Sequence, residues 1–260
     1  MTIEQLVVIA LAGLAGGAVN AAAGGGTLLT FPALLWAGIP PVAANISSSV
    51  GLLAGYLGGS LAYRRELIEQ RHRLLTYSAV SVVGGALGAA LLIFTPGATF
   101  YLLVPYLVLG SAMLLGIQPL LARWLKVYRE RQGDRLDHRL QWAREAPAQV
   151  GMLIAATYGS YFGAGLGILM LAVLGMFLAE SLQRLNALKG LLSLLVNAIG
   201  VLVFIFTGVV DWEVVAVLAP AALLGGTIGA GIARRLPQLL LRAFIVGFAL
   251  IVGIILLVTG

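Results

Sequence analysis

Residues 23–34 read Ala-Gly-Gly-Gly-Thr-Leu-Leu-Thr-Phe-Pro-Ala-Leu, and residues 164–175 read Ala-Gly-Leu-Gly-Ile-Leu-Met-Leu-Ala-Val-Leu-Gly. The second stretch follows the first by 141 positions, and the correspondence extends without gaps: Gly24 falls on Gly165, Gly26 on Gly167, Asn45 on Asn186, Leu53 on Leu194 and Gly59 on Gly200. The chain therefore carries an internal duplication. In a membrane protein, repeats whose hydrophobic segments are broken point to a transporter with its site between the copies.

Composition supplies the membrane. Of 260 residues, 60% are hydrophobic and 10% charged, more apolar surface than a soluble core hides. Charges are sparse in six stretches, residues 42–63, 74–95, 100–122, 187–207, 213–233 and 239–259, with Lys189, Glu213 and Arg242 near the starts of the last three, and each is near the ~20 residues that cross a bilayer. Two further apolar regions, 5–38 and 150–179, are too long for one span and are divided by glycines, so each reads as a hairpin. As a helix, the arm from Thr27 to Gly38 rises only ~18 Å and falls short of spanning. Gly24, Gly25 and Gly26 each cost a continuous helix roughly 1 kcal/mol relative to Ala, which places a turn there. The expected fold is an all-α polytopic membrane protein of two inverted repeats, each a Gly-broken hairpin plus three transmembrane helices. Repeat 1 covers 1–122, a basic cytoplasmic linker 123–147, and repeat 2 148–260.

The net charge of +6 reflects topology rather than nucleic acid, because Lys and Arg gather in three loops instead of on one face. Those loops are Arg64 to Arg73, Arg123 to Arg144 and Arg234 to Arg242, whereas Asp211 and Glu213 follow Thr207. With the basic loops inside, the copies enter the membrane from opposite sides and both termini lie outside. The central segment alternates in charge (Arg129, Glu130, Arg131, Asp134, Arg135, Asp137, Arg139) and reads as a solvated, partly helical linker. The first residues lack a basic run, which argues against a cleaved signal peptide.

Several chemistries are excluded by what is missing. There is no Cys, so no disulfide or thiolate metal site. His72 and His138 lie in basic loops and the one acidic residue in an expected span, Glu213, stands at its first position, so a buried catalytic triad, acid/base pair or metal cluster cannot be assembled. An enzyme is not expected, no metal or cofactor is expected, and ion coupling through a membrane carboxylate has no candidate.

What remains suits an anion: turn backbone, helix starts, hydroxyls and amides. A helix starting near Thr27 presents amide groups and the positive end of its dipole, and Gly24, Gly25 and Gly26 admit close approach. The next helix is expected to open at Asn45, with Ser47, Ser48 and Ser49 in its first turn. In the second copy Tyr161, Gly163, Gly165 and Gly167 form the corresponding turn, and Asn186 and Lys189 open the following helix. Lys189, aligned with Ser48, has two readings: a cation beside a bound anion, or a side chain that reaches the cytoplasmic surface with Arg184. Asn20 flanks the first break, where backbone must be satisfied within protein. Asn197 either lines the pathway or bonds a neighbouring helix. Gly84, Gly85, Gly88, Gly225, Gly226, Gly229 and Gly231 read as close-packing positions.

Gly13-Leu-Ala-Gly16-Gly17, Ala23-Gly24-Gly25-Gly26-Thr-Leu-Leu-Thr-Phe-Pro32-Ala-Leu-Leu and Ala43-Ala-Asn45-Ile-Ser47-Ser-Ser resemble the sulfite exporter TauE/SafE family of bacterial membrane proteins. The resemblance extends over nearly the whole chain through the second copy. It implies a multi-pass protein of the cell inner (plasma) membrane that exports sulfite, organosulfonates or related anions. It also implies that Gly24, Gly25, Gly26 and Asn45, with Gly163, Gly165, Gly167 and Asn186, flank the site. The second copy departs from the pattern at Leu166 and at Val173, where Gly and Pro would be expected. The alternatives are a transporter of another small anion such as a carboxylate, or a non-transporting membrane scaffold. The expected partners are a small anionic substrate and the lipid bilayer, with a homodimer through glycine-rich helices as a further possibility.

Overall fold

A computed structural model describes residues 1–22, 24–62, 70–132, 141–178, 180, 182–232 and 238–259. Among these residues there are ten helices and no strand: α1 Ile3–Ala22, α2 Thr27–Trp36, α3 Pro41–Ala62, α4 Arg71–Phe94, α5 Gly97–Gln132, α6 Gln141–Tyr161, α7 Leu166–Phe177, α8 Leu182–Ile205, α9 Trp212–Ile232 and α10 Gln238–Thr259. Most of the first basic loop (63–69), the middle of the central basic segment (133–140, with His138) and 233–237 of the third basic loop lie outside the described residues.

Four stretches are long and apolar enough to cross a membrane: Ile3–Ala21, Arg73–Phe94, Gly97–Leu121 and Arg184–Ile205. Shorter apolar stretches run Thr27–Trp36, Leu166–Phe177, Trp212–Ile228 and Arg242–Val258. Large apolar side chains such as Leu75, Phe94, Leu202, Phe206 and Val258 face outward from the helices, as a hydrocarbon surround requires. This is a polytopic membrane protein.

Both hairpin breaks are made by glycine. Gly24 has φ +79° and its N–H reaches back to the Val19 carbonyl at 3.0 Å, closing the end of α1. Gly163 and Gly165 both have φ +82°, a region open to glycine at little cost, and they separate α6 from α7. The arms that follow, α2 and α7, have 10 and 12 residues and so rise only about 15–18 Å.

Tertiary pairing crosses the duplication. α1 packs on α9 and α6 on α4, so the first helix of each copy lies against the fourth of the other. The same exchange of α1–α5 for α6–α10 carries α3·α9 into α8·α4, α2·α3 into α7·α8 and α5·α7 into α10·α2, while α3·α8 and α5·α10 map onto themselves. Among the described residues, the contacts of α5 with α2 and α3 are more extensive than those of α10 with α7 and α8. At the α3–α8 crossing, Tyr56 meets Asn197, the residue that aligns with it in the second copy.

Glycine sets the spacing of these pairs. A Cβ at Gly17 would lie 2.1 Å from the Ala222 carbonyl oxygen, at Gly225 2.0 Å from that of Leu14, and at Gly88 2.1 Å from that of Thr157. Backbones meet directly, which is how helices associate where apolar burial gives no gradient. Gly88→Ala must push α4 off α6, and we expect a lower melting temperature, by about 1–3 kcal/mol of stability. A thermal melt in detergent checks this, with an unchanged midpoint speaking against backbone contact at this crossing.

Candidate functional site

The first turn is built around Asn20. Its Oδ1 accepts the Gly26 N–H at 2.7 Å, which pins the start of α2 to the end of α1. Gly26 admits no side chain, since a Cβ would stand 2.2 Å from the Gly16 carbonyl oxygen. One turn along α2, the Thr30 hydroxyl reaches the Gly26 carbonyl at 3.3 Å and the Ser48 hydroxyl at 2.6 Å, joining α2 to α3. Asn20 is 5% exposed, and its Nδ2 has no hydrogen-bond partner among the described residues.

The second turn is held from α5. Ser111 donates to the Ala164 carbonyl at 3.1 Å and shares a 2.7 Å hydrogen bond with the Tyr158 hydroxyl. Leu166, in place of a glycine, is fully buried, and Gly159 makes room for it: a Cβ there would stand 2.3 Å from Leu166 Cδ1.

The two turns meet. A Cβ on Gly24 would come within 2.9 Å of Gly167 Cα, and one on Gly163 within 3.1 Å of Thr27 Oγ1. Phe31 of α2 packs edge-on against Phe162 at 5.4 Å between ring centroids. Asn45 closes the junction from α3, with Nδ2 donating to the Tyr161 carbonyl at 2.9 Å. Its Oδ1 is buried without a partner among the described residues. Each such atom, a donor on Asn20 and an acceptor on Asn45, forgoes about 1–3 kcal/mol.

Two expectations about helix starts are corrected. α3 begins at Pro41, four residues before Asn45, and α8 at Leu182, four before Asn186. Proline suits the first helical position because its ring presets φ and its missing N–H is not needed there. Asn45 therefore does not cap a helix; it lies in the second turn and spends its amide on the other copy. Ser47 Oγ accepts the Asp211 N–H at 2.9 Å, and Ser49 donates to the Asn45 carbonyl at 2.9 Å, so of the three serines Ser48 is the one that reaches α2.

Along α8, Asn186, Lys189, Ser193 and Asn197 follow at helical spacing on one face. Ser193 donates to Met170 Sδ at 3.4 Å, which turns this face toward α7. Asn197 Nδ2 donates to the Ser193 carbonyl at 2.8 Å, and Asn186 is half-buried. Lys189 is 5% exposed, and no carboxylate pairs with it among the described residues. Near the start of α8, Glu180 instead pairs with Arg73 and, at 3.2 Å, with Arg184, linking α4 to the α7–α8 connection.

Gly25 and Thr27 complete the first turn, both buried. Thr30, Ser111, Tyr158 and Ser193 were not expected at the site. Thr30 repeats Thr27 one turn on, a readable signal, whereas Ser111 is one hydroxyl in an apolar helix. Among the described residues no group of His, Cys, Asp or Glu could hold a metal ion.

Comparison with known proteins agrees with a carrier. The family model for the sulfite exporter TauE/SafE matches residues 9–256. The chain is 26% identical over 247 residues to a probable membrane transporter protein of Haemophilus influenzae, covering 94% of this chain and 91% of that one. It is 28% identical over 239 residues to the probable membrane transporter protein ORF9 of a Sinorhizobium species, covering 88% and 83%. To the probable membrane transporter protein YfcA of Escherichia coli it is 27% identical over 231 residues, covering 88% and 81%. No solved structure matches the chain.

Proposed function

The chain belongs to the sulfite exporter TauE/SafE family, and we propose that it exports small sulfur-containing anions, sulfite or organosulfonates, across the inner membrane. The observation that carries the proposal is the junction of the two turns, where Asn45 of one copy holds the Tyr161 carbonyl of the other and Gly24 lies against Gly167. In our reading the anion exchanges water for turn amides, the Asn20 amide and nearby hydroxyls. The positive ends of α2 and α7 favour its charge. Lys189 supplies positive charge along the route, since a buried cation in a membrane helix is costly to the fold and such residues mark ion pathways.

The exchangeable pairings of α1–α5 and α6–α10 support two inverted copies that rock against each other around this junction, giving alternating access. An inside-negative potential is worth about 2.3 kcal/mol per charge per 100 mV, enough to drive an anion outward without a coupled cation. In proteoliposomes loaded with sulfite, an imposed inside-negative potential is expected to accelerate efflux, and collapsing it should slow efflux several-fold. Efflux indifferent to potential would sink the uncoupled mechanism. Asn45→Ala is expected to cut efflux by ~tenfold while the protein still folds; a scaffold whose glycines and amides serve packing would instead lose folding in step with any function.

A further inference from the structure

Between α4 and α6 the protein surface opens into an apolar groove of about 450 Å³, walled by Leu87, Leu91, Ile154, Thr157, Tyr158 and Tyr161. That volume falls within the ~300–1,000 Å³ of small-molecule sites. At its mouth Leu87, Leu91 and Ile154 are 48%, 54% and 64% exposed, and the exposed Phe94 and Val150 continue the surface to either side. α4 is long and apolar enough to cross a membrane, so the groove is continuous with the bilayer-facing surface, where the medium is hydrocarbon chain.

The duplicated position carries different side chains. Gly13, Gly16 and Gly17 of α1 stand where α6 carries Ile154, Thr157 and Tyr158. There α9 comes down onto the α1 backbone, with the Gly17 Cβ position 2.1 Å from the Ala222 carbonyl oxygen. The larger side chains of α6 wall the groove, whereas α1 offers only glycines at the three matching positions.

The back wall of the groove carries the second turn. The Tyr158 hydroxyl pairs with Ser111, which in turn holds the Ala164 carbonyl. The Tyr161 carbonyl accepts Asn45, and its hydroxyl reaches Thr95 at the α4–α5 connection at 3.4 Å. The groove is thus apolar along its length, which suits a hydrocarbon chain.

The geometry points to a site for one acyl chain of a bilayer phospholipid, seated between α4 and α6 against Tyr158 and Tyr161 and buttressing the second turn. Its occupancy makes the turn junction sensitive to lipid on the α4–α6 side of the protein.

Protein purified in mild detergent tests this by native mass spectrometry and phosphate analysis of retained phospholipid. The native chain and Leu202→Trp, an exposed position on α8, are expected to keep about one phospholipid each. Leu91→Trp and Ile154→Trp fill the groove and are expected to lower retention by at least ~fivefold at an unchanged melting temperature. Retention in both filling variants equal to that of the control, or none in the native protein, overturns the site. So does displacement of the native protein's lipid by decanesulfonate together with its transport, which would make the groove a substrate subsite. The chain has no cysteine, so efficient disulfide formation between copies carrying Ile154→Cys overturns it too, by assigning the groove to a second protomer.

Discussion

Lys189→Met is expected to reduce export of a sulfur-containing anion by at least ~tenfold, about 1.4 kcal/mol or more of lost anion stabilisation, while the melting temperature stays level or rises. Two effects act in opposite directions. Lys189 is 5% exposed with no carboxylate paired to it among the described residues, so its charge is a burden on the folded state. Met keeps the length and flexibility of the stem and removes the charge, which relieves that burden. A lysine placed for packing would show lower stability and unchanged flux. A lysine placed for an anion shows the reverse, and measuring both in one preparation separates them.

Gly24→Ala should abolish transport, whereas Gly38→Ala should leave it near native. The two glycines have almost the same backbone, φ +79° and +85°, so an added Cβ carries a similar conformational penalty of roughly 1–2 kcal/mol at either. They differ in what the Cβ meets. At Gly24 it comes within 2.9 Å of Gly167 Cα, a backbone atom of the opposite turn that has no rotamer to change, and at Gly38 it meets nothing within 4 Å. The difference between the variants isolates the turn-to-turn contact from backbone strain. Efflux and circular dichroism on both proteins make the comparison, and equal behaviour of the pair would mean that the approach of the turns is incidental.

The helical class was readable because 60% hydrophobic content and long uncharged runs leave little else for the chain to do in a bilayer. The breaks were readable because Gly24, Gly163 and Gly165 mark conformations that other residues resist. The starts of α3 and α8 were not. A cap signal at Asn45 competed with Pro41, and the proline set the first turn. Equally hidden was the partner of Asn45, the Tyr161 carbonyl, since a hydrogen bond between residues 116 apart depends on how the copies interleave. Lys189 could be read two ways because its four-carbon stem reaches either a pathway or a surface, and only packing around α8 buries it.

Non-equivalence of the copies is itself informative. The first turn is fastened by Asn20 of α1 and by Thr30 of α2 with Ser48 of α3, and the second by Ser111 of α5, which pairs with Tyr158 of α6. Leu166 stands where the first copy has Gly25. In our account the first turn therefore offers more polar groups to the anion, and the second supplies a firmer, more apolar wall.

Thermal stabilisation of the purified protein by sulfite, measured side by side for the native chain and Asn45→Ala against acetate and chloride, tests the turn junction as the anion site most directly. The account predicts saturable stabilisation of the native protein by sulfite and its loss in Asn45→Ala, with both proteins folded before ligand is added. Equal stabilisation of the two by sulfite would contradict it and move the site away from the junction of the turns.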